Sequence, residues 1–146
     1  GCMDALVVAC RACGAKNRKP LSRLAEQPVC GACKAVLPLG GGPLDVDAAA
    51  FAEAVKHARV PVLVDFWATW CGPCRQFAPV LQQYAASHAD DVLVLKVDTD
   101  ANPRLASQFS ITAIPTTVLV KNGGEVARQA GALPGSMLDR FVQQAR

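Results

Sequence analysis

The chain lacks any apolar run near the roughly 20 residues that a membrane helix needs, because Asp65, Lys96 and Lys121 interrupt its strongest hydrophobic stretches. No basic segment followed by an apolar one opens it, so no secretory signal is expected. Gly1 is not an initiator residue and reads as a processing or tag-cleavage scar. Histidine is scarce. His57 and His88 have no ligand or catalytic partner at useful spacing, and both are expected on the surface. Residues 1–41 carry six Lys/Arg against two Asp/Glu, a balance of +4, while residues 42–146 carry nine against ten, a balance of −1. No aromatic residue stands among those six bases, which argues against a nucleic-acid partner. What is present is 146 residues, 51% hydrophobic and 18% charged, enough for one ordinary soluble domain or a small one with a compact module.

Cysteine is plentiful instead. Seven residues form three Cys-x-x-Cys pairs plus Cys2. Without a signal and with a large expected core, they point to metal and redox use in the cytosol rather than to a disulfide framework. Cys10-Arg11-Ala12-Cys13-Gly14 and Cys30-Gly31-Ala32-Cys33 are separated by sixteen residues, the spacing of a zinc ribbon. Each pair reads as a tight knuckle in which glycine allows the backbone to turn. Four thiolates would close a tetrahedral structural site; two disulfides or a second redox centre are the alternatives. Some forty residues bury too little surface to fold unaided, and structural zinc supplies on the order of 10–16 kcal/mol to such modules. Cys2 lies outside the pattern and reads as an incidental free thiol. Pro38-Leu39-Gly40-Gly41-Gly42-Pro43 has linker composition. The expected organisation is a module over 1–38, a linker over 39–43 and a domain over 44–146, with separate cores.

The third pair, Trp70-Cys71-Gly72-Pro73-Cys74, sits between Pro61–Trp67, an apolar run of strand length, and a segment where Phe77, Val80, Leu81, Tyr84 and Ala85 recur at helical spacing. A helix N-terminus places partial positive charge and free N–H groups beside Cys71, expected nearer to solvent than Cys74, and favours its thiolate. That thiolate would attack other disulfides and Cys74 would resolve the mixed disulfide. Half of a zinc site or a structural bridge is the plainer alternative. Arg75 reads as a solvated helix residue adding mild thiolate stabilisation. Asp65, amid apolar residues and six positions before Cys71, is costly to bury unless used or paired. With a raised pKa it can take the proton of Cys74; alternatively it is a satisfied structural Asp. On spacing alone Lys96 reads as a sheet-edge snorkel.

The remaining punctuation orders the elements. Leu44–Val46 predicts a short strand, with Asp47 capping a helix to about Ala58 whose inner face is Phe51, Ala54, Val55 and Ala58. Pro79 interrupts the hydrogen-bond ladder of the helix that runs to about Ser87 and is expected to kink it. A strand over 92–97, a helix from Asn102-Pro103 to about Phe109, a hairpin turning at Asn122-Gly123 and a last helix from Pro134 or Gly135 follow. The order β-α-β-α-β-α-β-β-α predicts an α/β fold: a mixed sheet flanked by helices, with strand 61–67 central and Cys71 at its C-terminal edge.

Phe66-Trp67-Ala68-Thr69-Trp70-Cys71-Gly72-Pro73-Cys74, Ile114-Pro115-Thr116 and Gly131-Ala132 resemble the thioredoxin family. With the four N-terminal cysteines and Asn17-Arg18, residues 5 to 146 resemble the zinc-ribbon thioredoxins of bacteria, the thioredoxin 2 type. The resemblance implies the thioredoxin fold with a small N-terminal zinc ribbon. It implies proton transfer by Asp65, with Lys96 as its partner. It implies a cis Ile114–Pro115 bond facing the dithiol, where the backbone of Ile114 pairs with a substrate chain and the Pro115 ring keeps metal from the sulfurs. Trp70, Gly72, Pro73, Ile114, Gly131 and Ala132 would form a shallow surface for extended protein substrates, with Trp67 in the core. The implied activity is cytosolic protein-disulfide reduction through a redox-active disulfide, with no bound organic cofactor. The implied recycling partner is a flavoprotein thioredoxin reductase using NADPH, and a monomer is expected. A disulfide oxidase or isomerase on the same fold is one rival, against which Gly-Pro between the thiols argues. The other is a zinc-ribbon adaptor binding protein or nucleic acid.

Overall fold

The computed structural model describes residues 5–26, 28–39 and 42–146; Gly1, Cys2 and the Gly40-Gly41 part of the linker lie outside the described residues. Two antiparallel strands, β1 (Ala5–Ala9) and β2 (Lys16–Pro20), lead into a 3₁₀ turn at Leu21–Arg23. There follow β3 (Leu44–Asp45), α1 (Ala48–His57), β4 (Val62–Trp67), α2 (Gly72–Ser87) and β5 (Leu93–Asp98). The chain ends with α3 (Pro103–Gln108), β6 (Thr116–Lys121), β7 (Gly124–Ala130) and α4 (Gly135–Val142). From β3 onward this is the expected order.

The five-stranded sheet runs β3-β5-β4-β6-β7, so β4 is central, parallel to β5 and antiparallel to β6. Local chemistry accounts for the joints. Asp47 accepts a 2.8 Å hydrogen bond from the Ala50 N–H, satisfying one of the free donors at the start of α1. Asn102 precedes α3 without capping it; its Oδ1 instead accepts from the Ala48 N–H at 3.2 Å, tying two helix starts together. Asn122 and Gly123 turn the β6–β7 hairpin with φ of 54° and 82°, the left-handed values a tight two-residue turn demands.

Alternation along β4 feeds two cores. Val62, Val64 and Phe66 face α1 and α3, where Phe109 packs edge-on against Phe51 with centroids 5.5 Å apart. Leu63 faces α2 and α4 among Phe77, Leu81, Leu119 and Leu138. Leu6, Val8, Leu21 and Leu24 of the N-terminal module join the first of these cores, the one that also holds Phe51, Ala54 and Val62. The expectation of separate cores is therefore corrected. The glycine linker permits motion, but four apolar side chains on one face of the module gain more by covering α1 than by facing water. Arg11 also forms a bidentate pair with Asp90 at 3.0 and 2.9 Å, and the Leu39 N–H donates to the Ala89 carbonyl.

Candidate functional site

Cys71 is the N-cap of α2, and its Sγ accepts from the Cys74 N–H at 3.2 Å. The cap thus aims a helix N-terminal donor at the sulfur, an arrangement that stabilises a thiolate when the bond is reduced. Cys71 and Cys74 are joined as a disulfide. Both residues are only 3% exposed, so burial does not set Cys71 nearer to solvent as the sequence suggested. Ala68 packs beneath the pair, with Trp67 and Ile114 half-buried around it.

The surface around the disulfide is built from its neighbours. Trp70 is 67% exposed and its Nε1 donates to Asp100 Oδ2 at 2.8 Å, which holds the ring over a groove of about 200 Å³ shared with Ile111, Ala113 and Ile114. Gly72, Pro73, Gly131 and Ala132 are exposed, and Ile114 is half-exposed. The Ile114–Pro115 bond is cis, and the Pro115 carbonyl accepts from the Gly131 N–H at 2.8 Å. Gly131 holds φ at 88°, a left-handed value that a side chain would strain. Arg75 is not free beside the thiols: its Nη2 donates to the Thr69 carbonyl at 2.8 Å.

Asp65 is 1% exposed on β4, on the face that carries Leu63. Burial pushes its carboxyl up to about 7; Lys96 opposes that shift and Asp45 adds to it. The ladders explain why these groups meet. Lys96 of β5 stands opposite Asp65 of β4 and opposite Asp45 of β3, while Thr117 of β6 stands opposite Asp65 from the other side. A polar row thus crosses the sheet on the face that carries Leu63. Lys96 lies on an inner strand, not the sheet edge, and its Nζ sits 4.2 Å from the Trp67 ring centroid as a cation–π contact. Among the described residues, four buried side-chain polar atoms have no hydrogen-bond partner, and three of them gather here: Asp65 Oδ1, Trp67 Nε1 and Thr117 Oγ1. Such clustering suits a site that exchanges a proton better than one built only for stability.

The structure also places residues that the sequence did not single out. Thr117 reads as an ordinary β-branched strand residue until the β4–β6 register sets it beside Asp65. Asp100 needed the Trp70 contact to be noticed. The two histidines are not plain surface residues. His57 lies 3.2 Å from Glu53, and His88 stacks on Tyr84 with centroids 4.2 Å apart, near Asp91.

In the N-terminal module the four sulfurs of Cys10, Cys13, Cys30 and Cys33 lie within 4.8 Å of one another. Cys10 to Cys33 is 3.5 Å and Cys13 to Cys30 is 3.7 Å, too long for disulfides. The knuckles repeat one another: Cys10 N–H bonds the Ala15 carbonyl and Cys30 N–H the Ala35 carbonyl, both at 2.8 Å. Gly14 supplies the left-handed turn in the first, at φ 78°, but Lys34 rather than Gly31 takes that position in the second, at φ 69°. Asn17 links the two, donating to the Ala15 carbonyl and to Cys30 Sγ and accepting from the Gly31 N–H. The N–H groups of Cys33 and Ala32, with Asn17, pull the Cys30 thiol down to about 6. For Cys13 the Ala15 N–H pulls downward, but the thiols of Cys33 and Cys30 prevail and push it up to about 12. Four thiols held this closely, with donors aimed at sulfur, suit a tetrahedral thiophilic cation that relieves their mutual repulsion.

A recessed disulfide capping a helix beside a cis proline and an exposed tryptophan defines a thiol–disulfide oxidoreductase on a mixed α/β sheet. Comparison with known proteins narrows this. Residues 43–144 match the family model described as Thioredoxin, and residues 9–35 match the one described as Thioredoxin 2, N-terminal. Thioredoxin C-3 of Corynebacterium nephridii is 42% identical over 140 residues, covering 95% of this chain and 94% of that one. The thioredoxin of Haemophilus influenzae is 44% identical over 101 residues, 69% of this chain and 94% of that one. The solved structure of a mutant thioredoxin from Halobacterium salinarum superposes with a TM-score of 0.67 at 31% identity, covering 72% of this chain and 91% of that one. The chain belongs to the thioredoxin family, with a ribbon of the thioredoxin 2 type at its N-terminus.

Proposed function

We propose that this oxidoreductase works as a protein-disulfide reductase. The observation that carries the reading is the Cys71–Cys74 disulfide at the start of α2, with the buried carboxyl of Asp65 on β4, the strand that leads into it. The Cys71 thiolate attacks one sulfur of a substrate disulfide and the other sulfur leaves as a thiolate. Cys74 then gives its proton to Asp65 and attacks Cys71 Sγ. The second substrate sulfur departs, and the Cys71–Cys74 disulfide holds the two electrons' worth of oxidation. Lys96 steadies the charge that Asp65 carries between proton exchanges. Trp70, Gly72, Pro73, Ile114, Gly131 and Ala132 receive an extended substrate backbone, and Pro115 shields the sulfurs. A thioredoxin reductase drawing on NADPH would restore the dithiol, and the cytosol is the compartment that keeps it reduced.

Zinc held by Cys10, Cys13, Cys30 and Cys33 would act structurally, closing the ribbon without an open coordination position. Asn17 orients the second knuckle for it. The test is insulin-disulfide reduction coupled to NADPH and thioredoxin reductase, with metal content measured on the same sample. Cys71→Ser should abolish turnover, and Cys74→Ser should trap mixed disulfides. Turnover surviving Cys71→Ser would overturn the assignment, and a reduction potential close to that of glutathione would favour an oxidase or isomerase instead.

A further inference from the structure

We propose that the cleft between the N-terminal module and the sheet is a binding site for a small carboxylate carried on a short apolar body. Lys19 is the starting point. It stands opposite Leu6 in the β1–β2 ladder and is only 3% exposed, yet it lines a cleft of about 370 Å³. Among the described residues no hydrogen bond or ion pair holds its ammonium group. Lysine buried this far without an acidic partner is rare, because a desolvated charge is costly unless something compensates it.

Arg59 lines the same cleft, and its side chain has no partner among the described residues either. A third cation stands close by, since Lys121 Nζ donates to the Arg59 carbonyl. The two acids on the rim are already engaged, Asp90 by Arg11 at 2.9 Å and Glu26 by Arg23 at 2.6 Å. Two cations without an acidic partner among the described residues therefore line the cleft, Lys19 buried and Arg59 exposed. The rest of the wall is largely apolar, with Val36, Leu37, Leu39 and Val60 among its residues. The volume lies at the low end of the range for small-molecule sites, roughly 300–1,000 Å³. One negative charge against Lys19 and Arg59, with a few carbons against the valines and leucines, matches this lining. A fully polar dianion such as phosphate leaves the apolar wall unused.

The cleft is separate from the redox site. Arg59, Val60 and Asp90 precede β4 and β5, so they mark the N-terminal edge of those strands, whereas Cys71 follows the C-terminal edge of β4. A ligand there would touch both the module and the sheet and fasten one to the other.

The experiment titrates hexanoate into the full-length, zinc-loaded, oxidised protein and follows backbone amide shifts together with the melting temperature. Saturable shifts are expected around residues 19, 37, 59 and 60, with phosphate binding more weakly than hexanoate. Lys19→Met keeps the stem and removes the charge, so it should fold with full zinc content while losing about tenfold or more in hexanoate affinity. Arg59→Gln, an exposed position, should weaken binding severalfold and carries the test if Lys19→Met does not fold. Insulin reduction by Lys19→Met should be unchanged. No saturation in the wild type, unchanged affinity in the variants, or tighter binding of phosphate than of hexanoate would each overturn the proposal.

Discussion

Replacing Asp65 by asparagine exchanges a buried carboxyl for an amide of nearly the same shape. The carboxyl sits at about 7 in the fold against an ordinary value of 3.8, a rise caused first by burial. At 1.36 kcal/mol per unit, those roughly three units correspond to about 4 kcal/mol. Relaxation around the side chain takes back part of this, leaving about 2–4 kcal/mol. The sign follows from proton counting. Between the two values the folded protein holds a proton that the unfolded chain has lost. Stability therefore falls as pH rises through that window and stays at its lower level above about 7. Asparagine does not titrate, so Asp65→Asn should match the wild type near pH 4, exceed it increasingly up to about pH 7 and keep a constant lead at pH 8. A gap of about 5–15 °C in melting temperature is expected there. Catalysis should move the other way. The amide cannot accept the proton of Cys74, and single-turnover resolution of the mixed disulfide should slow about tenfold at neutral pH, within the usual scale of general-base help less the thiol's own ionisation. The two rate profiles should converge toward alkaline pH. Equal rates at every pH from 6 to 9 would refute the proton-transfer role, whatever the melting curves did.

Thr117→Val keeps the shape of the residue facing Asp65 and removes its hydroxyl; the pH midpoint of the resolution step should move upward, and an unmoved midpoint returns Thr117 to packing alone. Metal removal should be felt beyond the ribbon. Because Leu6, Val8, Leu21 and Leu24 share a core with α1, chelation should lower the melting temperature of the sheet domain, and an unchanged transition in calorimetry would contradict the shared core. Lys34→Gly relieves a non-glycine residue at φ 69° and should stabilise the metal-loaded ribbon by about 1 kcal/mol, read as slower zinc loss to a chelator.

The strands, helices and turns of residues 44–146 were legible because each carries a local signal: β-branched runs, an Asp47 cap, Asn122-Gly123, proline at a helix start. The two functional cysteine sets were legible for the same reason, since knuckles and dithiols are defined by spacing along the chain. What escaped depends on register between distant strands. Lys96 looks like an edge residue until β3 is seen beyond it, and Thr117 gains meaning only opposite Asp65. The union of the ribbon with the α1 core escaped because its four apolar contributors are spread from Leu6 to Leu24, too sparsely for any periodicity to announce a common face. Lys34 in a left-handed turn carries no residue-type signal at all.

The depth of the two sulfurs bears on which proteins this enzyme meets as substrates. Each cysteine is 3% exposed while Trp70 beside them is 67% exposed. A disulfide lodged in a rigid surface cannot descend past that rim to reach sulfur. One on a segment that lifts away from its own fold can, at a frequency set by the free energy of local opening. Discrimination of this kind ranks clients by how often they loosen, with little regard for the residues flanking the bond. Proteins already damaged or not yet folded would then be served ahead of intact ones.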